Sequence, residues 1–165
     1  MQWIDGSEIN IKKYTGKSLC EKLAIEMWDY KMEQWLNCAD FIQVACFLIA
    51  FDTELTMEGI FTFLENSIGH YSPNIIQAFR EIGDNHDADI LEEICHYAPP
   101  DRVRGEFLAG THQEYELTSF DADHELKEEV VEIIGELGHK LYLYTDFDIW
   151  EPLFKYVEER ITMLD

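Results

Sequence analysis

Apolar residues recur every three or four positions along most of this chain, the spacing that places them on one side of an α-helix. A first helix is predicted over about residues 19–36, opened by a capping box in which Ser18 and Glu21 each satisfy a backbone amide. Asn37 is the predicted cap of the next helix, whose segment 39–50 is apolar on nearly every side. A helix of that composition lies at the centre of a domain.

Caps and turn residues divide the following part of the chain into shorter helices. Thr56 is predicted to cap a helix that ends near Asn66. Ser72 followed by Pro73 is typical of a helix start, and Gly83 is typical of the residue just beyond a helix end. Further helices are predicted over about residues 84–97 (capped by Asp84 or Asp87), 122–137 (capped by Asp121 or Asp123) and 149–163.

The fold class that this pattern predicts is all-α, a compact helical array with an acidic face. Residues 140–145 alternate weakly between apolar and polar, but an isolated strand has no partner, so a helix or an extended linker is expected there. Residues 101–120 are predicted to form a loop with at most a short helix. A length of 165 residues makes one domain the default, and we predict a single α-helical domain over residues 1–165.

The chain is strongly acidic, with 34 Asp and Glu residues against 12 Lys and Arg residues and a net charge of −22. A hydrophobic share of 47% and an aromatic share of 13% are enough to build a core, so the acids are expected on a folded surface rather than in a disordered tail. Residues 81–165 carry a net charge of −17. Such a surface repels nucleic acid and anionic membranes, and it attracts basic proteins that bind phosphate.

The predicted helix at residues 121–136 separates its charges from its apolar residues. At about 100° per residue, its carboxylates fall within an arc of roughly 100° and its apolar side chains lie opposite. With a rise of about 1.5 Å per residue, they form a ridge about 22 Å long. The carboxylates of this ridge are Asp121, Glu125, Glu128, Glu129, Glu132 and Glu136.

Neighbouring segments extend the acidic surface. B-form DNA carries one phosphate per about 3.4 Å of axis on each strand, and a rigid array of carboxylates can present a comparable series of charges to a DNA-binding protein. A plain solvated face is the alternative interpretation of a single acidic helix. The further residues that we predict to bind a partner are Asp87, Glu92, Glu93, Asp146 and Asp148.

A motif in the middle of the chain points to a known family. Residues 61–73 carry an aromatic pair followed by Asn-Ser-x-Gly-x-Tyr-x-Pro, and an amphipathic helix that ends in Ile-Gly comes next. This stretch resembles the neisserial-type DNA-mimic proteins, a bacterial helical domain family, and the resemblance is clear over about residues 38–95. It implies a homodimer that competes with DNA for a transcription factor with a helix-turn-helix domain.

Patterns typical of enzymes and metal sites are missing from the sequence. There is no glycine-rich phosphate loop and no GxSxG, the histidines lack HExxH spacing, and the cysteines lack CxxC spacing. We therefore expect no catalytic residue, no metal and no cofactor. The first residues lack the basic and apolar regions of a signal peptide, so a cytoplasmic location is expected. In that reducing compartment, Cys20, Cys38, Cys46 and Cys95 are expected to be free thiols.

Two functions remain open at this point. The first is a DNA mimic that regulates transcription by binding the DNA-binding face of a basic helix-turn-helix transcription factor. The second is an acidic immunity protein or inhibitor that neutralises a basic toxin or nuclease, because an acidic helical inhibitor has the same sequence features. An enzyme with a carboxylate site is a third function, which no particular pair of residues favours.

Overall fold

A computed structural model describes residues 1–98 and 124–164, with residues 124–127 described by their backbone alone. Within those ranges the elements are helical, apart from an isolated antiparallel bridge between Gln2 and Glu8, and the predicted all-α fold is confirmed. The α-helices are α1 (Gly16–Glu26), α2 (Met32–Trp35), α3 (Asp40–Met57), α4 (Gly59–Glu65), α5 (Ser72–Glu81), α6 (Asn85–Tyr97), α7 (His124–Gly138) and α8 (Trp150–Thr162). Short 3-10 helices are formed by Ile11–Lys13, Met27–Asp29, Ser67–Tyr71 and Tyr142–Tyr144.

Helix α3 is the centre of the packing, as its apolar composition predicts. Its side chains at positions 44–51 are all buried, and the helix contacts α1, α4, α5 and α8. The ring of Phe51 lies 4.8 Å from that of Phe63 and 5.5 Å from that of Phe79, in edge-to-face contacts that join α3 to α4 and α5. The helix continues past Thr56, so the prediction of that residue as a cap is wrong.

The first helix has a different cap from the one predicted. Thr15 caps α1: its Oγ1 accepts a hydrogen bond from the Ser18 amide at 3.1 Å, and the Ser18 Oγ accepts one from the Thr15 amide at 2.9 Å. The predicted box of Ser18 and Glu21 is therefore wrong. Glu21 lies on the exposed face of the helix and pairs with Lys17 at 3.8 Å.

The same helix also ends earlier than predicted, at Glu26. Tyr30 has an extended backbone (φ −124°, ψ 153°), which separates α1 and its 3-10 extension from α2. The break lets α2 turn back and bury the ring of Trp35 against Phe47, with 5.6 Å between the ring centroids. Ala39, and not Asn37, is the N-cap residue of α3, so that prediction is wrong.

The turn between α5 and α6 forms as predicted. Gly83 has φ 85°, a left-handed conformation that strains any side chain, and its amide donates to the Arg80 carbonyl at 3.0 Å. The amide of Asp84 donates to the Phe79 carbonyl at 2.9 Å, which completes a Schellman end. The Asp84 carboxylate then accepts from the Asp87 amide at 3.1 Å and caps α6.

The remaining helices lie close to their predicted bounds. Helix α5 begins at Ser72 with Pro73 in its first turn, and α8 begins and ends within one residue of the prediction. Residues 140–145 contain a 3-10 helix rather than a strand. The predictions for the loop at 101–120 and for Asp121 and Asp123 as caps lie outside the described residues.

Helices α1 and α8 meet so closely at Gly16 that a larger residue does not fit. A Cβ atom there would lie 2.0 Å from the Phe154 carbonyl oxygen and 2.7 Å from the Glu158 amide nitrogen. The Gly16 amide also donates to the Glu158 carboxylate, which satisfies a donor at the positive end of α1. Gly135 in α7 is the opposite case, because a Cβ atom there would meet only the ring of Phe61, at 3.9 Å.

These glycines predict opposite effects of the same substitution on stability. Gly16→Ala should lower the free energy of unfolding by at least about 1 kcal/mol, because the α1–α8 contact must open. Gly135→Ala should raise it by about 0.5–1 kcal/mol, because alanine favours the helix and no contact is too short. Urea unfolding followed by circular dichroism measures both. Equal effects of the two substitutions would contradict the described approach of α1 to α8.

Candidate functional site

The α7 helix keeps its apolar and acidic side chains apart, as the sequence predicts. Val130, Ile134 and Leu137 are buried, with 8%, 0% and 5% of their surfaces exposed, where α7 packs against α4 and α6. The carboxylates lie on the exposed side of the helix. We call this set the acidic ridge: Glu128, Glu129, Glu132 and Glu136.

The acidic ridge has a regular spacing. The rise from Glu128 to Glu136 is about 12 Å, and carboxylates three or four residues apart are about 5–6 Å from one another at their Cβ atoms. The last turn of α7 contains no basic residue that would offset the charge. Two other carboxylates predicted in this ridge are not described: Asp121 lies outside the described residues, and so does the side chain of Glu125.

Helix α6 presents fewer unpaired charges than its sequence predicts. Arg80, from the end of α5, lies 2.9 Å from a carboxylate oxygen of Asp89 and 3.0 Å from one of Glu92. Both ion pairs are on the surface, so they partly neutralise the charges and contribute little to stability. Glu93 is exposed on the same helix, and its binding to a partner stays a prediction.

Asp87 is not on the acidic surface, and its prediction as a partner-binding residue is wrong. Only 1% of its surface is exposed, because the first turn of α6 packs against the segment that follows α7. Its Oδ1 accepts a hydrogen bond from the Tyr142 amide at 2.8 Å. Asp87 therefore stabilises the fold beneath the surface instead of contacting a partner.

Tyr142 joins this segment to the centre of the protein. Its hydroxyl donates to the Asp52 carboxylate of α3 at 2.7 Å, and its ring lies 6.4 Å from Phe51 and 6.1 Å from Phe79. The sequence pattern did not indicate this role for Asp52 or Tyr142. A signal was present in the position of Asp52, since a carboxylate that directly follows a long apolar run requires a hydrogen-bond partner.

The end of the 3-10 helix Tyr142–Tyr144 and the residues that follow it form an exposed segment with two carboxylates and three large apolar side chains. Asp146 and Asp148 are exposed, as predicted, and the Asp148 Oδ1 accepts a hydrogen bond from the Trp150 amide at 2.9 Å. We call residues 143–148 the aromatic–acidic loop; its apolar members are Leu143, Tyr144 and Phe147.

Burial changes the protonation of the carboxyl groups below this loop. Burial and the neighbouring Asp84 carboxylate raise the pKa of Asp87 to about 8. Burial also raises the pKa of Asp52, although the hydrogen bond from Tyr142 opposes that change. The raised pKa favours the protonated form of Asp87, which avoids the repulsion of two ionised carboxylates at the start of α6.

Neither a metal site nor a membrane-spanning helix is found in the part of the chain that the structure describes. All four cysteines lie in that part and are free thiols, as predicted. Burial raises the pKa of the Cys20 thiol to about 12 and that of the Cys95 thiol to about 11, so both are poor nucleophiles at neutral pH.

Comparison with known protein families gives a match that covers most of the chain. The family model described as DMP19-like protein matches residues 38–160. The matched range contains the central helix, the motif at 61–73, the acidic ridge and the aromatic–acidic loop, and it extends well beyond the resemblance over 38–95. No curated protein and no solved structure matches the chain.

The raised pKa of Asp87 predicts how stability depends on pH. Its folded-state pKa lies above the unfolded value of about 4, so this group favours the folded state at low pH, and that contribution disappears as the pH rises toward 8. Asp87→Asn cannot ionise, but its amide oxygen can still accept from Tyr142. Between pH 5 and 7.5 its free energy of unfolding should therefore fall less steeply than that of the parent, by at most about 1.4 kcal/mol per pH unit.

Denaturant unfolding at several pH values tests this prediction. Glu93→Gln is the matched control, since it removes an exposed carboxylate from the same helix and should keep the pH dependence of the parent. Identical slopes for the parent and for Asp87→Asn would show that Asp87 is ionised throughout that range.

Proposed function

This chain belongs to the family of DMP19-like proteins, and from that premise we propose that it is a DNA mimic that binds a basic helix-turn-helix transcription factor. The family match is consistent with the resemblance of residues 38–95 to the DNA-mimic proteins. In this proposal the chain occupies the DNA-binding face of the transcription factor and keeps DNA away. The acidic ridge is the observation that carries the proposal.

Rigidity supports this role for the ridge. The buried side chains of α7 hold the helix against α4 and α6, and the carboxylates project from its other side. A disordered acidic tail loses backbone entropy when it binds, whereas these residues are already ordered. A DNA-binding protein has its cations arranged to meet a fixed series of phosphates, and a fixed series of carboxylates suits that arrangement.

The ridge is also difficult to explain by stability. Like charges three or four residues apart on a helix each cost a few tenths of a kcal/mol, and α7 has no basic residue in its last turn. Solubility does not require the charged residues of a helix to lie on one face or to have the same sign. The carboxylates of the acidic ridge lower the stability of α7 and lie on one face of it, and this arrangement is typical of a binding surface.

The rest of the proposal follows from the same role. We propose that the protein acts by binding and not by catalysis. The carboxyl group with the most strongly raised pKa, Asp87, is buried and serves the fold in the described part of the chain. A homodimer belongs to the proposal through the family resemblance, and a cytoplasmic location belongs to it because a bacterial transcription factor acts there. An inhibitor of a basic toxin or nuclease is the alternative, and the partner's identity distinguishes it.

The test compares two variants with the same net charge. The ridge variant carries Glu129→Gln, Glu132→Gln and Glu136→Gln, and the control variant carries Glu8→Gln, Glu21→Gln and Glu33→Gln. The control carboxylates are exposed and precede the family match, and both variants reduce the net charge from −22 to −19. Any difference between the two variants is therefore due to position and not to total charge.

A partner captured from native lysate by the parent protein is purified and bound to its own DNA site, and each protein is then titrated into a gel-shift assay. We expect the parent and the control variant to release the DNA, and the ridge variant to need about tenfold to hundredfold more protein. The ridge variant should melt no lower than the parent, because repulsion has been removed. If the ridge variant releases the DNA at the same protein concentration as the parent, the proposal is contradicted. A captured nuclease or toxin would support the alternative function.

A further inference from the structure

The aromatic–acidic loop exposes more apolar surface than a solvated loop needs. Over six residues it contains Leu143, Tyr144 and Phe147, with 37%, 51% and 46% of their surfaces exposed. Asp146 and Asp148 are exposed beside them. Neighbouring exposed apolar side chains on a protein surface are typical of a protein–protein contact.

The backbone of this loop is held in place from several directions. The Thr145 Oγ1 donates to the Tyr142 carbonyl at 2.9 Å and accepts from the Phe147 amide at 3.1 Å. The Tyr144 amide donates to the Leu141 carbonyl at 3.0 Å. With Tyr142 itself bound to Asp87 and Asp52, the exposed rings project from an ordered backbone, so binding costs little further ordering.

The loop lies at the C-terminal end of α7, the helix that carries the acidic ridge. Helix α7 ends at Gly138, and the ring of Tyr144 lies edge-on to the ring of His139 with 4.8 Å between their centroids. Glu136, the last carboxylate of the ridge, is in the final turn of the same helix. The apolar side chains of the loop therefore lie near the end of the helix that carries the carboxylates.

We propose that the aromatic–acidic loop is an apolar anchor for arginine side chains of the basic partner, a proposal that rests on the proposed function. The planar guanidinium group stacks on aromatic rings better than an ammonium group does, and it also pairs with carboxylates. Tyr144 and Phe147 supply the rings, and Asp146 and Asp148 supply the charges. The base faces of duplex DNA are stacked on one another and offer little of this contact, so the anchor adds binding that high salt screens less than the ion pairs of the ridge.

The charge of the aromatic–acidic loop indicates which kind of molecule binds it. In a contact of two-fold symmetry between two copies, the same surface patch lies on both sides, so Asp146 and Asp148 would face an identical pair of carboxylates. Anionic membranes and nucleic acids are repelled by the same residues. A basic protein is the partner whose charge complements both carboxylates.

The test uses two fluorescein-labelled peptides of equal charge, octa-arginine and octa-lysine, and measures their binding by fluorescence anisotropy at low and at high salt. The loop variant carries Tyr144→Ser and Phe147→Ser. The apolar control variant carries Ile25→Ser and Met163→Ser. These substitutions remove apolar side chains that lie outside the loop and have 77% and 70% of their surfaces exposed. Because all four residues are on the surface, both variants should melt like the parent.

We expect the parent to bind octa-arginine several-fold more tightly than octa-lysine, with a preference that is larger at high salt. The loop variant should lose this preference, and the apolar control variant should keep it. The single substitution Tyr144→Phe should also keep the preference, because the aromatic ring remains. The ridge variant should bind both peptides more weakly and keep the preference for arginine.

Three outcomes would contradict the proposals, and they can be told apart. A loop variant that keeps the preference for arginine contradicts the anchor alone. A ridge variant that binds both peptides like the parent contradicts the proposed function, whatever the loop variant does. A loop variant that changes the oligomeric state in sedimentation would place the loop between two copies and overturn the anchor.

Discussion

Two hydrogen bonds of Tyr142 hold the segment that carries the aromatic–acidic loop against the rest of the protein. Its amide is bound to Asp87 at the start of α6, and its hydroxyl is bound to Asp52 on the central helix. Three parts of the fold therefore meet at one buried residue, which is 4% exposed. The aromatic–acidic loop follows Tyr142 directly in the chain, so the position of the loop depends on this contact.

The acidic surface is possible because packing outweighs repulsion by a wide margin. Each pair of like charges on α7 costs a few tenths of a kcal/mol, whereas full burial of an aliphatic side chain contributes about 1.5–3 kcal/mol. Val130, Ile134 and Leu137 are all buried on the same helix. One face of α7 can therefore keep the helix folded while the other presents charges that favour a partner.

Local signals predicted the features that depend on neighbouring residues. Gly83 and Asp84 form the turn and cap that their residue types favour, and the helical period of α7 correctly separated its buried residues from its carboxylates. The contacts that the sequence pattern did not indicate join distant parts of the chain. The acidic pattern of its helix predicts an exposed Asp87. That prediction fails because the segment that covers Asp87 comes 55 residues later in the chain.

The early end of α1 has the same kind of cause. Its apolar pattern continues past Glu26, but the burial of Trp35 against Phe47 requires the chain to turn. Tertiary packing outweighed local helix preference there, as it commonly does. The acidic ridge was predictable because a single helix produces it, whereas the network below the loop depends on three separate segments.

Carboxylate footprinting of the complex is the most direct measurement of the central claim, that the acidic ridge is where the partner binds. Carbodiimide and glycine ethyl ester label accessible carboxylates, and mass spectrometry locates the label in the free chain and in the chain saturated with its captured partner. The account predicts strong protection of Glu129, Glu132 and Glu136 in the complex, with unchanged labelling of Glu8 and Glu33. Equal labelling of the ridge in both states would show that the partner binds elsewhere and that the ridge is only a solvated face.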